Sequence, residues 1–327
     1  MIDIYFYKGG IHMAYILLIV GFVLLIKGAD FFVDGASKIA VLLRISPIVV
    51  GLTIVSMGTS APEATISIIA ALEGSSDISL GNVVGSNIVN ISLIVGAAAF
   101  LHPFHVQKPT IKNEIPFTLL SGVVLLVLMS DRILNGSTNI INRSDGVILL
   151  LFMMVFLYYI LQTAASDRKN NAENGDKSGS WLKSTLFIIS GLAGVIYGGD
   201  LVVTHATTIA YSFGMSEALV GLTIVAVGTS LPELVTSVTA ALKGQSEIAL
   251  GNIVGSNIFN VLFVLGASSV ISPLTVNNKI FTDIFIMLLL TVLLLVFSRT
   301  NFRLGKREGL SLIILYILYL VFIIIRN

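Results

Sequence analysis

Apolar residues in this chain come in long blocks rather than in the strict alternation of a strand, and short polar stretches separate the blocks. Windows of roughly 20 residues, enough to cross a hydrocarbon core of about 30 Å, fall at 14–43, 46–72, 78–101, 115–131 and 146–164. A second set falls at 183–212, 216–242, 248–271, 281–298 and 309–325, so the pattern predicts ten membrane helices. The first block, Ala14 to Leu43, would be ~45 Å long as a helix and must tilt or project from the bilayer. It carries Lys27, Asp30, Asp34 and Lys38 at helical intervals, which are expected to pair with one another or to snorkel to an interface. The preceding MIDIYFYKGGIH is expected to lie outside that helix, and Met13 is an alternative translation start. The first block outlasts a signal-peptide core and lacks an evident cleavage site, so it reads as a membrane helix.

Composition agrees with a bilayer as the main solvent: 55% of residues are hydrophobic and 11% charged. A formal net charge of +1 gives no reason to expect nucleic acid or a charged protein partner, and no protein partner is evident. The absence of cysteine excludes disulfides, thiolate metal sites and a cysteine nucleophile. Placing the N terminus outside puts Lys38, Arg44, Lys108, Lys112, Arg168, Lys169, Lys177, Lys183, Lys243, Arg299, Arg303, Lys306 and Arg307 inside. Only Lys8, Arg132, Arg143, Lys279 and Arg326 are then outside, so the positive-inside rule favours a plasma (cytoplasmic) membrane protein with both termini extracytoplasmic. The polar loop at 165–182 reads as a flexible cytoplasmic linker, too short for a folded domain.

Residues 51–97 align without gaps to 221–267 at a constant offset of 170, with 28 of 47 positions identical. A weaker match lays IKGADFFVDGASKIA (26–40) over IYGGDLVVTHATTIA (196–210). The chain therefore divides into a first repeat at 1–164 and a second at 183–327, each with five predicted spans. Five is odd, so the second repeat enters the membrane from the opposite side. The expected fold is an all-α polytopic membrane protein of two inverted five-helix repeats, a recurrent transporter plan with discontinuous helices at a central site.

The repeated residues suggest what that site holds. GTSAPE at 58–63 and GTSLPE at 228–233 each place proline inside an apolar run, where it deprives the carbonyl of the glycine four residues back of its helical partner, and that glycine eases a bend. Lipid cannot satisfy freed carbonyls, so such breaks belong where they face protein or a watery cavity. Glu63 shares a helical stripe with Ser56, Thr59 and Ser60, and Glu233 shares one with Ala226, Thr229 and Ser230. No Lys, Arg or His lies in either span to neutralise these carboxylates, so they need cations or protons from solution. In LGNVVGSNIVN (80–90) the side chains of Asn82, Ser86 and Asn90 share a face, with Gly81 and Gly85 on an adjacent stripe suited to close helix approach. Asn252, Ser256 and Asn260, with Gly251 and Gly255, repeat the pattern. Every candidate ligand is an oxygen, which suits calcium or sodium and not zinc or copper. Two carboxylates balance one divalent or two monovalent cations, the requirement for exchange at one site.

At these motifs the sequence resembles the sodium/calcium exchanger family of the cation/calcium exchanger superfamily, in its compact prokaryotic form. GTSAPE with GNVVGSNIVN, and GTSLPE with GNIVGSNIFN, look like that family's two alpha repeats. The resemblance implies sodium-driven calcium antiport by alternating access, with calcium and sodium as cargo and no cofactor. It implies ligands at Ser56, Thr59, Ser60, Glu63, Ser86 and Asn90, and at the Ala226 carbonyl, Thr229, Ser230, Glu233, Ser256 and Asn260. It also implies that the long helices at 14–43 and 183–212 slide across the ion-binding core. Some members carry Asp at the position of Asn260; here Asn90 and Asn260 match, leaving two formal negative charges in the centre. Three other readings stand beside this one: a proton- or potassium-dependent exchanger on the same scaffold, a passive cation channel, and an intramembrane aspartyl protease using Asp30 and Asp200. Only the last is an enzyme, and it leaves the duplicated Glu motifs unexplained.

Overall fold

The computed structural model describes residues 2–134, 136, 138–170, 180–215, 226–300 and 302–326. Almost all of them are helical. Helix α1 spans Ile2–Leu43. Then come α2 (Pro47–Thr59) and α3 (Ala61–Leu72), which bend by 49° at their junction, and α4 (Ser76–Leu101), α5 (Thr110–Leu128) and α6 (Arg143–Asn170). The second half contributes α7 (Trp181–Ser212), α8 (Leu231–Leu242), α9 (Ser246–Ile271), α10 (Asn278–Arg299) and α11 (Lys306–Arg326). Among the described residues eight helices are long and apolar enough to cross a membrane, or nine if the bent α2–α3 pair is one span. The tenth expected span, 216–242, lies partly outside the described residues, which cover it as a helical turn at Ala226–Gly228 followed by α8.

Two boundaries differ from the sequence expectation. Helix α1 begins at Ile2, so the stretch before Ala14 continues the same helix instead of preceding it. Helix α6 runs to Asn170, so residues 165–170 of the expected linker are helical, while 171–179 lie outside the described residues. The reason is docking at the α1–α2 turn. Arg44 adopts a left-handed φ of 58°, and Pro47 opens α2, where its missing N–H is no loss. The Ser46 N–H donates to Asp167 at 2.8 Å, and Arg168 donates to the Leu43 carbonyl at 3.1 Å. Both α6 residues gain a partner by staying helical.

Two small ladders tie loops together. The first, β1 (Phe104–His105), pairs antiparallel with β4 (Arg303–Leu304); the second joins β2 (Ile140–Ile141) to β3 (Leu274–Thr275). Helices α4 and α9 form the centre, and in α9 every residue from Ile248 to Phe259 is buried, the mark of a helix enclosed on all sides. Peripheral helices expose apolar side chains such as Ile19, Met154, Leu161 and Leu289, as lipid-facing surfaces do.

Helices α1 and α7 pack along each other so closely that glycine is required at the seam. A Cβ at Gly28 would lie 2.6 Å from the Val195 nitrogen, and one at Gly191 would lie 2.4 Å from the Phe32 nitrogen. The charges on α1 find a different arrangement from the one expected. Lys27 does approach Asp30, at 3.7 Å, but Asp30 and Asp34 are held mainly by Lys243, at 3.3 and 2.8 Å, from the turn between α8 and α9. Lys243 also donates to the Asp30 carbonyl at 2.9 Å, and Lys38 sits over the Phe187 ring at 4.9 Å. Periodicity on one helix could not show a partner more than 200 residues away. The close approach expected at Gly251 and Gly255 is present, since a Cβ at Gly251 would meet the Ile48 carbonyl at 2.8 Å and one at Gly255 the Leu52 Cα at 2.8 Å. A Cβ at Gly81 or Gly85 meets no described atom within 4 Å.

Gly191→Val should force α1 from α7, because the obstacle is backbone and cannot rotate away. Overpacking of this kind costs about 1–3 kcal/mol or more. A thermal melt of the purified protein in detergent should show a midpoint several degrees lower; an unchanged midpoint would show that the seam is looser than described.

Candidate cation site

The two broken helices meet at their breaks. Ser60 separates α2 from α3 with φ −84° and ψ 7°, and Ser230 precedes α8 with φ −90° and ψ 9°, so both adopt the bridge conformation between helical and extended. Pro62 and Pro232 then fall in the first turn of α3 and α8, where a residue without an N–H is tolerated and restarts the helix. The proline therefore shapes the second segment, and the serine two residues earlier makes the bend. Glu63 and Glu233 sit in the same first turns, at the positive end of each helix, and both are fully buried.

Hydrogen bonds cross between the halves. The Ser60 hydroxyl donates to Glu233 Oε1 at 2.9 Å, and the Ser230 hydroxyl approaches Glu63 Oε1 at 3.5 Å. Each carboxylate is thus contacted by the serine of the other break. Ser56 and Thr59 are fully buried on the same side, with the Ser256 hydroxyl 3.5 Å from the Ser56 carbonyl. Thr229 is half-buried beside Ser230, and the backbone of Ala226 opens the described part of its segment.

The neighbouring helices add a second crossing. Asn90 donates to Asn257 Oδ1 at 3.0 Å, and Asn260 donates to Asn87 Oδ1 at 3.2 Å. These bonds exchange partners across the offset of 170. Asn90 and Asn260 also begin single π-helical turns, Asn90–Ile94 and Asn260–Leu265, an irregularity frequent at functional sites. With the amide nitrogens engaged, Oδ1 of Asn90 and of Asn260 has no hydrogen-bond donor among the described residues, and neither have Glu63 Oε2 and Glu233 Oε2. The Ser86 hydroxyl is buried with no described partner too. Four buried acceptors without donors are costly in a protein interior. A hard cation that takes oxygen ligands would satisfy all of them, so the residues fit such a cargo.

Asn82 and Asn252, on the same stripes, have another task. Asn82 donates to the Glu63 carbonyl at 3.1 Å and to Ser67 at 2.9 Å, while Asn252 donates to Ser237 at 2.8 Å and accepts from Thr59 at 3.0 Å. They brace the backbone and hydroxyls around the carboxylates. The sequence reading passed over Asn87 and Asn257, which lie outside the four-residue stripe; their only signal was that GSN recurs in both halves.

Comparison with known proteins follows this geometry. Residues 13–162 and 183–325 match the family described as Sodium/calcium exchanger protein. The chain belongs to the sodium/calcium exchanger family. Sodium/calcium exchanger MaX1 of Methanosarcina acetivorans is 33% identical over 340 residues, covering 94% of this chain and 97% of that protein. Inner membrane protein YrbG of Escherichia coli is 36% identical over 290 residues, covering 86% and 87%. A structure of the sodium-calcium exchanger NCX_Mj soaked with sodium and strontium superposes with a TM-score of 0.83 at 31% identity, covering 95% of this chain and 99% of that one. The exchanger is a membrane transporter of the cation/calcium antiporter class, and the enzyme reading is set aside with it.

The two serine contacts differ in length, and that difference can be read by mutation. A hydrogen bond to a charged group contributes about 1.5–3 kcal/mol, so Ser60→Ala should raise the half-saturating calcium concentration roughly tenfold or more. Ser230→Ala removes a contact of marginal length and should have the smaller effect. Calcium titration of both purified variants checks this, and equal effects would mean that the two breaks hold the carboxylates alike.

Proposed function

We propose that the exchanger moves calcium against sodium through one centre shared by its two halves, by alternating access. The observation that carries this reading is the reciprocal contact of Ser60 with Glu233 and Ser230 with Glu63, which makes each half incomplete without the other. The ligands on this reading are Ser56, Thr59, Ser60, Glu63, Ser86 and Asn90 from residues 1–164. From residues 183–327 they are the Ala226 carbonyl, Thr229, Ser230, Glu233, Ser256 and Asn260. Ten spans in two inverted five-helix repeats, joined by a cytoplasmic linker and with both termini outside, complete the proposed architecture. The equal sequence offset within two pairs of crossing contacts, serine to glutamate and asparagine to asparagine, supports it.

The chemistry follows from charge. Two carboxylates repel each other and are costly in a low-dielectric interior, so the centre is stable only when cations, or protons, balance them. One calcium ion or two sodium ions supply the same positive charge. The two cargoes therefore compete for the same oxygens, and the departure of one admits the other. The name of MaX1, and the sodium and calcium with which another NCX_Mj structure was soaked, are consistent with that pair of cargoes.

The test is radioactive calcium uptake into proteoliposomes loaded with sodium and diluted into sodium-free buffer. Uptake should require the outward sodium gradient and fall to background when the gradient is absent or replaced by potassium or protons. Glu63→Gln and Glu233→Gln should each abolish it while leaving a folded protein, because an amide is less costly to bury than a carboxylate. Calcium uptake that ignores sodium but follows protons or potassium would overturn the sodium assignment, and normal exchange in either variant would remove that glutamate from the centre.

A further inference from the structure

A cavity of about 510 Å³ opens between α3, α7 and the second break. Its wall includes Pro62 and Thr65 of α3, Thr229 and Pro232 at the second break, and Asp200 of α7. Pro62 and Pro232 each precede one of the buried glutamates, and Thr229 belongs to the proposed ligand set, so the cavity reaches the rim of the centre. Most of the lining is apolar. Asp200 is the one carboxylate among the lining residues, and it is exposed.

Asp200 stands out by its lack of a cation. It lies well inside α7, twelve residues before that helix ends at Ser212. A carboxylate at such a place is costly unless it is paired or faces water. Among the described residues no Lys, Arg or His pairs with it. The repeat makes the contrast sharp. Its counterpart at the offset of 170 is Asp30, which is approached by Lys27 at 3.7 Å and by Lys243 at 3.3 Å. The counterpart of Lys243 is Glu73, and the counterpart of Lys27 is Tyr197. The substitutions that neutralise Asp30 in one half are thus reversed or absent around Asp200 in the other. Position is fixed as well. Gly199, beside Asp200, faces the Pro232 ring, where a Cβ would stand 3.6 Å from Cδ. That contact holds this turn of α7 against the break that carries Glu233.

We propose that Asp200 is the receiving carboxylate of the ion pathway: it hydrates the cavity, draws cations in from solution and passes them to the centre at the breaks. The inference rests on the antiport reading, since it assigns the cavity to the cargo of that site. A negative charge in a cleft with low-dielectric walls raises the local cation concentration and the association rate, by tenfold or more in favourable cases. It does so without being a ligand at the final site. Asp200 should therefore govern the rate at which calcium arrives and leave the equilibrium at the centre nearly unchanged.

The experiment compares the unmodified exchanger with Asp200→Asn and Asp200→Glu, as purified protein and in proteoliposomes, with calcium itself as the probe. Asp200→Asn should lower the initial rate of calcium uptake at sub-saturating calcium by about three- to tenfold while keeping the maximal rate. Calorimetric calcium affinity should stay within about twofold, and Asp200→Glu should restore the uptake rate. Raising ionic strength with choline chloride should slow uptake by the unmodified protein more than by Asp200→Asn, because screening removes only a steering charge that is present. Unchanged uptake at low calcium would overturn the proposal. So would an equal loss at low and saturating calcium, which would mark a structural role, or a large loss of equilibrium affinity, which would mark a ligand. Failure of the antiport reading looks different: the unmodified protein would then show no sodium-dependent uptake at all.

Discussion

Two carboxylates buried in the helical core with no Lys, Arg or His pairing with them among the described residues are the constraint from which the rest of this molecule follows. Two other carboxylates in its helices have internal partners. Asp283 is held in a two-pronged pair by Arg326 at 2.9 and 3.0 Å, and Glu114 receives the Tyr159 hydroxyl. The side chains that reach Glu63 and Glu233 carry neutral hydroxyls, and one oxygen of each has no donor among the described residues. Such an arrangement is stable only with help from outside the chain. The local irregularities supply what that help requires: bends at Ser60 and Ser230 that place the carboxylates at helix starts, and π-helical turns at Asn90 and Asn260 beside them.

On the proposed reading, duplication explains why the centre is shared. Two crossing contacts have a partner displaced by the same offset: Ser60 with Glu233 answers Ser230 with Glu63, and Asn90 with Asn257 answers Asn260 with Asn87. Neither half can assemble the oxygen set alone. The departures from symmetry are as informative. Ser56 has Ala226 as its counterpart, so one hydroxyl is absent from the second half. Lys243, which ties α1 to the α8–α9 turn, has Glu73 as its counterpart, so the peripheral helix pair is anchored by charge on one face and not on the other. The proposed alternating access needs two states close in energy but not identical, and these side chains are among the positions where the halves differ.

Much of this was legible from residues alone because membrane depth restricts what a sequence can do. A run such as 281–298 can only be a lipid-spanning helix, and α10 at Asn278–Arg299 follows it closely. The duplicated GTSAPE and GTSLPE pointed to paired breaks because proline and glutamate in apolar runs have so few uses. Three features were not legible. The bend sits at Ser60, not at Pro62, since backbone strain at a cap depends on tertiary support and not on the strongest helix breaker nearby. Lys243 holds Asp30 and Asp34 through space, which intrahelical spacing cannot reveal. Asn87 and Asn257 lie off the four-residue stripe, and their role shows only in the bonds they accept from Asn260 and Asn90 across the halves.

The central claim is that Glu63 and Glu233 form a single site. Calorimetric titration of calcium into the purified protein, and into Glu63→Gln and Glu233→Gln separately, tests it most directly. The account predicts that either substitution alone removes high-affinity binding altogether, and that sodium competes with calcium in the unmodified protein. If each variant instead kept a high-affinity site at half the original stoichiometry, the carboxylates would serve two independent sites and the shared centre would be wrong.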